Sequence, residues 1–216
     1  MNAAQPRFLF DFGSPNAYLV HKVLPGIEAR TGTAFEYVPV LLGGLFKLSG
    51  NRSPIETYAG VANRRAYDTL EIGRFVAKHR LDRFTMNPHF PVNTLQIMRG
   101  AVAAQKLSLL APYADAVFAA MWENGLNMAE PEVIGRVLAE AGLDGAALVA
   151  GSQDPEVKAQ LMANTQAAFE QGAFGAPTFF VGPHMFFGKD RLLGTHMFFG
   201  KDRLHDVEEA IGKQAG

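Results

Sequence analysis

Cysteine is absent from the 216-residue chain, so the protein has no thiol of its own to attack, exchange or form a disulfide. A thiol–disulfide oxidoreductase is thereby excluded, because exchange requires a protein thiolate. An excess of either charge is missing too. The 20 Lys and Arg against 21 Asp and Glu give a net charge of −1, without the clustered basic residues that nucleic acid or an anionic membrane surface requires. No uncharged apolar run approaches the roughly 20 residues of a membrane span. The first residues, with Arg7 and Asp11 around a short apolar stretch, carry neither a signal-peptide core nor a small-residue cleavage site. A cytoplasmic protein is the expectation. The six histidines lack a metal-ligand spacing such as His-Glu-x-x-His, and Gly43-Gly44 lacks the frame of a phosphate loop. No metal is expected.

What is present is material for a core: 48% of the residues are hydrophobic and 19% charged, enough for one domain or one domain with a large insertion. Phe8, Phe10 and Phe12 alternate with Leu9 and Asp11 as in a buried strand. Ser14 then stands at a helix N-cap with Pro15 at the first helical position. In other folds of this pattern such a junction holds a reactive thiol; here it offers a hydroxyl. The helix that follows is expected to kink or end its first half at Pro25. Residues 35–40 read as a second strand with Pro39 near its end or at an edge.

From Leu41 to about Gly151 the strand signal vanishes and helical patterns replace it. One opens at Ser53-Pro54 and runs toward His79, one follows Pro91, and two more span residues 109–122 and 131–141. Asp154-Pro155 starts another, which stops at Gly172. Pro177 then leads a short aromatic strand, Met185-Phe186-Phe187 forms its hairpin partner, and residues 202–213 form a closing helix. One segment is duplicated: His184 to Leu192 recurs unchanged as His196 to Leu204. A single tandem copy does not build a solenoid.

Four motifs, Asp11-Phe-Gly-Ser14-Pro15-Asn-Ala-Tyr18, Leu42-Gly-Gly-Leu-Phe-Lys47-Leu-Ser-Gly-Asn51-Arg, Phe174-Gly-Ala-Pro177-Thr-Phe-Phe-Val and Phe187-Gly-Lys-Asp190-Arg-Leu, resemble those of 2-hydroxychromene-2-carboxylate isomerases and the related kappa-class glutathione transferases. The resemblance covers nearly the whole chain; the duplication is the one departure. It implies an α/β, thioredoxin-like fold with a large all-helical insertion, DsbA-like in order, with residues 1–45 and 152–216 as the thioredoxin-like part and 46–151 as the insertion. It implies bound glutathione and a homodimer. Ser14 would meet the glutathione sulfur, and Asn51 would lie near the tripeptide. A cis Pro177 would leave the backbone of Ala176 free to pair with it. The aspartate of Gly-Lys-Asp-Arg, present as both Asp190 and Asp202, would hold the γ-glutamyl ammonium. Lys47 would face the carboxylate of an aromatic substrate. Taken singly these residues have plainer roles: Ser14 as a helix cap, Asn51 as a turn residue, Lys47 as a solvated charge, and Asp190 and Asp202 as helix N-terminal acids.

A thiol of cysteine type, with a pKa near 8.5, is mostly protonated at neutral pH. A serine hydroxyl cannot act as its base, but it can donate a charge-assisted hydrogen bond of about 1.5–3 kcal/mol, and a helix N-terminus adds about 0.3–1 kcal/mol. Together these make thiolate the main form near pH 7. Such a thiolate would add to the ring-opened 2-hydroxybenzylidenepyruvate, allow rotation about the resulting single bond, and leave. The rival readings are a kappa-like transferase that conjugates electrophiles and a non-catalytic glutathione binder.

The duplication offers two registers for the last strand. Met185–Phe187 keeps the tight hairpin and brings Asp190 to glutathione, whereas Met197–Phe199 keeps Asp202 continuous with the closing helix. The second is favoured here, and the displaced Met-Phe-Phe copy is expected in an exposed loop or a subunit contact.

Overall fold

Strand β1 (Arg7–Phe10) lies at the centre of a four-stranded sheet, because its two sets of alternating side chains each have a core to enter. Phe8 and Phe10 point into the larger core, and Leu9 points into a smaller one on the opposite face. The computed structural model describes residues 5–187 and 211–212. Among them the sheet order is β2-β1-β3-β4, with β2 (Glu36–Pro39) parallel to β1 and at the edge, where Pro39 is tolerated. Strands β3 (Thr178–Val181) and β4 (His184–Phe186) continue the sheet antiparallel. Phe8 faces Phe179 on one neighbour and Tyr37 on the other, with ring centroids at 5.3 and 5.0 Å. Aromatic pairs of this kind add about 0.5–1.5 kcal/mol each beyond their burial.

Helix α1 (Pro15–Thr31) leaves the end of β1 and ends on Gly32, whose φ of 66° suits glycine. Pro25 does not end it; the helix continues for a further turn and more. Between β2 and β3 the chain forms helices α2 (Leu42–Ser49), α3 (Pro54–Thr57), α4 (Ala62–His79), α5 (Leu95–Lys106), α6 (Leu110–Trp122), α7 (Pro131–Glu140), α8 (Gly145–Gly151) and α9 (Pro155–Glu170). A large helical insertion into a thioredoxin-like core lies among these helices. Side chains of α1, α5 and α6 close the larger core, while α2 and α9 contribute Leu45 and Ala168 to the smaller one.

Three expectations change. The helix anticipated from Ser53 to His79 is two, because the chain turns at residues 58–61, where Gly60 weakens helix and Val61 N–H bonds back to the Tyr58 carbonyl at 2.9 Å. Helix α2 was hidden by Gly43-Gly44, which are poor helix formers. Gly44 lets α9 approach there: a Cβ would stand 3.0 Å from Thr165 Cγ2. The third concerns the duplicated segment: β4 is His184–Phe186, the first copy, and not the second copy. Gly182, with φ of 54°, and Pro183 close a tight turn that pairs Val181 with His184 at once, whereas the second copy would need a long loop. The second copy, and with it the expected exposed loop, lies outside the described residues, as does the closing helix except for helical Ile211 and Gly212. Among the described residues no helix is long and apolar enough to cross a membrane.

Candidate active site

Three consecutive carbonyls before Pro177 are each held by a different side chain. Asn51 Nδ2 donates to Phe174 O at 3.0 Å, Thr178 Oγ1 donates to Gly175 O at 2.7 Å, and Ser14 Oγ donates to Ala176 O at 3.1 Å. The Ala176–Pro177 peptide is cis. Ser14 and Asn51, both far in sequence from Ala176 and Pro177, therefore meet them on one short stretch of backbone.

Ser14 reaches it from the N-cap of α1, with extended backbone (φ −97°, ψ 115°) and Pro15 behind it. Its oxygen also accepts the Ala17 N–H at 3.2 Å. The residue is 5% exposed. Capping uses a lone pair and the bond to Ala176 uses the proton, so the two duties do not compete for the same part of the hydroxyl. Of the Ala176 backbone, expected to be free to pair with glutathione, the carbonyl is Ser14's partner.

Asn51 arrives at the far end of α2, delivered by Gly50 in the left-handed region (φ 70°). Its other amide atom, Oδ1, accepts the Arg52 N–H at 2.8 Å, so Asn51 is both the turn residue and the contact to Phe174. Lys47 is exposed on the last turn of α2. The neighbouring Phe46 approaches Gly175, where a Cβ would lie 3.9 Å from Phe46 Cε1 and 3.0 Å from Phe187 Cε2. A side chain at this position would press on the Phe187 ring, which packs close over Gly175. Asp190 and Asp202 lie outside the described residues.

The turn that presents Ser14 rests on groups for which no role at the site was expected from the sequence. The Asp11 side chain, in a residue 1% exposed, accepts Gly13 N–H on Oδ1 and Leu42 N–H on Oδ2, both at 2.8 Å. Burial pushes its carboxyl pKa up, against the pull of those two amides and of Thr94. Trp122 Nε1 donates to Phe12 O at 2.8 Å. Asn16, next to Pro15, has a buried Oδ1 with no hydrogen-bond partner among the described residues. The signal for Asp11 was available: an acid inside an otherwise apolar run needs buried partners. Among the described residues no cluster of His, Asp or Glu is placed to hold a metal ion.

Comparison with known proteins agrees with this architecture. The 2-hydroxychromene-2-carboxylate isomerase of Sphingobium xenophagum is 26% identical over 190 residues, covering 86% of this chain and 92% of that protein. Human glutathione S-transferase kappa 1 is 25% identical over 201 residues, covering 85% of each. The solved structure of a 2-hydroxychromene-2-carboxylate isomerase superposes with a TM-score of 0.77 at 24% identity, over 97% of this chain and 95% of that one. The model of the DSBA-like thioredoxin domain matches residues 7–212. The chain thus belongs to the DSBA-like thioredoxin family, as a member whose β1–α1 junction carries serine in a sequence without cysteine.

Proposed function

We propose that the protein is a glutathione-dependent isomerase of 2-hydroxychromene-2-carboxylate and its ring-opened 2-hydroxybenzylidenepyruvate form. The observation that carries this reading is the convergence of the Ser14 hydroxyl and the Asn51 amide on the backbone before cis-Pro177. The similarity to two kinds of glutathione enzyme along most of the chain supports it.

The donor set fits a thiol-bearing peptide. A hydroxyl proton stands at a helix N-terminus, where negative charge is stabilised. A side-chain amide sits beside it on the same stretch. Bound there, reduced glutathione supplies a thiolate that can add reversibly to a conjugated double bond. Ser14 turns its proton from the Ala176 carbonyl toward the sulfur while its lone pair keeps the cap on Ala17. Asn51 and the Ala176 backbone hold the tripeptide. Lys47, exposed on the last turn of α2, orients the substrate carboxylate and offsets charge that develops on the pyruvyl oxygens.

A kappa-like transferase is the second reading, favoured by the similarity to the human kappa enzyme. Product analysis separates them. With 2-hydroxychromene-2-carboxylate and catalytic amounts of reduced glutathione, the isomerase yields the trans product and returns all the glutathione. Stoichiometric consumption of glutathione into a stable conjugate would establish the transferase instead.

A further inference from the structure

Asp11 is a buried acid whose two oxygens each serve a different part of the site. Oδ1 accepts the N–H of Gly13, the residue before Ser14, and Oδ2 accepts the N–H of Leu42, the first residue of α2. The far end of α2 delivers Asn51 to Phe174, and the Ser14 turn delivers its hydroxyl to Ala176. One carboxyl therefore ties the two arms that meet before Pro177. Its surroundings leave little slack: a Cβ on Gly13 would lie 3.1 Å from Thr94 Cγ2 and 3.3 Å from Asp11 Oδ1.

We infer that Asp11 is a positioning residue for the thiol site, holding the Ser14 turn and the Asn51-bearing helix in fixed register so that both side chains address one ligand. The inference rests on the glutathione reading above. It requires two acceptors at one residue. Asparagine supplies one acceptor and one donor, and the donor faces an N–H in either amide orientation.

Position and charge make opposite demands. A buried negative charge near a thiol disfavours thiolate, so if Asp11 acted by charge alone, Asp11→Asn would lower the pKa of the bound thiol. If Asp11 acts by position, the same change raises that pKa, because the Ser14 proton no longer meets the sulfur. Leu42→Pro gives an independent probe that keeps the acid. Proline is suited to the first position of a helix and, of the backbone donors there, removes the N–H that Asp11 Oδ2 accepts, at a residue whose side chain is only half-buried. Leu41 before it already has the extended backbone (φ −92°, ψ 110°) that a following proline requires.

The experiment titrates wild type, Asp11→Asn and Leu42→Pro with reduced glutathione and with S-methylglutathione, and follows the ultraviolet absorbance of bound thiolate against pH. Both variants are expected to bind reduced glutathione on the order of tenfold more weakly at pH 7, with a raised thiol pKa and a smaller loss for S-methylglutathione. A lowered thiol pKa in Asp11→Asn with no change in Leu42→Pro, or an unchanged thiol pKa in both with only a lower melting temperature, overturns the inference. If Asp11→Asn does not fold, Leu42→Pro decides. Failure of wild type to bind glutathione would defeat the proposed function itself. The crystal structure of Leu42→Pro would then still test the register: a shifted α2 relative to Ser14 supports the role of Asp11, and an unshifted one removes it.

Discussion

The indole Nε1 of Trp122 donates a 2.8 Å hydrogen bond to the carbonyl of Phe12, tying the end of α6 to the turn that presents Ser14. Both residues are fully buried. The Trp122 ring packs near Phe84 and Phe90, with centroids at 6.3 and 5.7 Å. Trp122→Phe retains most of this packing but leaves a buried carbonyl without its donor, at a cost of about 1–3 kcal/mol. Urea unfolding is expected to show a lower midpoint with an unchanged slope, together with weaker binding of reduced glutathione. Full retention of both would make the bond incidental to the site.

Gly100 on α5 and Gly73 on α4 make opposite predictions for the same substitution. A Cβ on Gly100 would stand 2.1 Å from Tyr113 Oη, and that hydroxyl is held by the Ile97 carbonyl at 2.9 Å inside the core. Overpacking of this kind costs about 1–3 kcal/mol and here outweighs the roughly 0.5–1 kcal/mol that alanine gains over glycine in a helix. Gly73 has open space around it, so Gly73→Ala keeps the gain. Thermal unfolding should place the two variants on opposite sides of wild type.

Two carboxyls give opposite pH signatures. Asp115 accepts His21 Nε2 at 2.8 Å, and this bond holds its pKa below the ordinary carboxylate value. The stabilisation it provides is present above the unfolded pKa near 3.8 and is lost as pH falls through the lower folded value. Its side chain is 71% exposed, so solvent screening limits the pair to less than about 1 kcal/mol. Asp115→Asn should therefore cost a little stability at pH 6–7 and nothing in strong acid.

Asp11 behaves in reverse. Burial raises its pKa, so its contribution is fully present below the unfolded value and is lost as pH rises through the raised one. The stability of wild type relative to Asp11→Asn should grow as the solution is acidified. Paired denaturation curves across pH 3–8 read both signs; the same slope for the two variants would contradict the account of both.

Much of the fold was legible because its signals were local. Alternating phenylalanines marked β1, and Ser14-Pro15 and Asp154-Pro155 opened α1 and α9, with Ser14 and Asp154 as caps. Where tertiary contact overrode propensity, the sequence was silent. Gly43-Gly44 lie within α2, and at Gly44 the absent side chain leaves room for Thr165 of α9. Helix α8, seven residues bounded by Gly145 and Gly151 and capped by Asp144, has too little pattern to stand out. The choice between duplicated copies turned on a two-residue hairpin, which local closure decided in favour of His184–Phe186. At the site, the motifs marked Ser14, Asn51, Ala176 and Pro177, which the fold brings together. They include Asp11 without showing which groups it holds, and they do not include Trp122, since such partners are set by packing across some 30 and 110 residues of chain.

The measurement that bears most directly on thiolate stabilisation by Ser14 is calorimetric titration with reduced glutathione near pH 7, in buffers of different ionisation enthalpy, for wild type and Ser14→Ala. Removing the hydroxyl takes away the proton aimed at Ala176 and the cap on Ala17, the latter worth about 0.5–2 kcal/mol of stability, so the variant is first shown to be folded at the working temperature. Saturable binding with proton release in wild type, and loss of that release in Ser14→Ala, is the expected result. Equal proton release in both proteins, or no binding by wild type, would contradict the account.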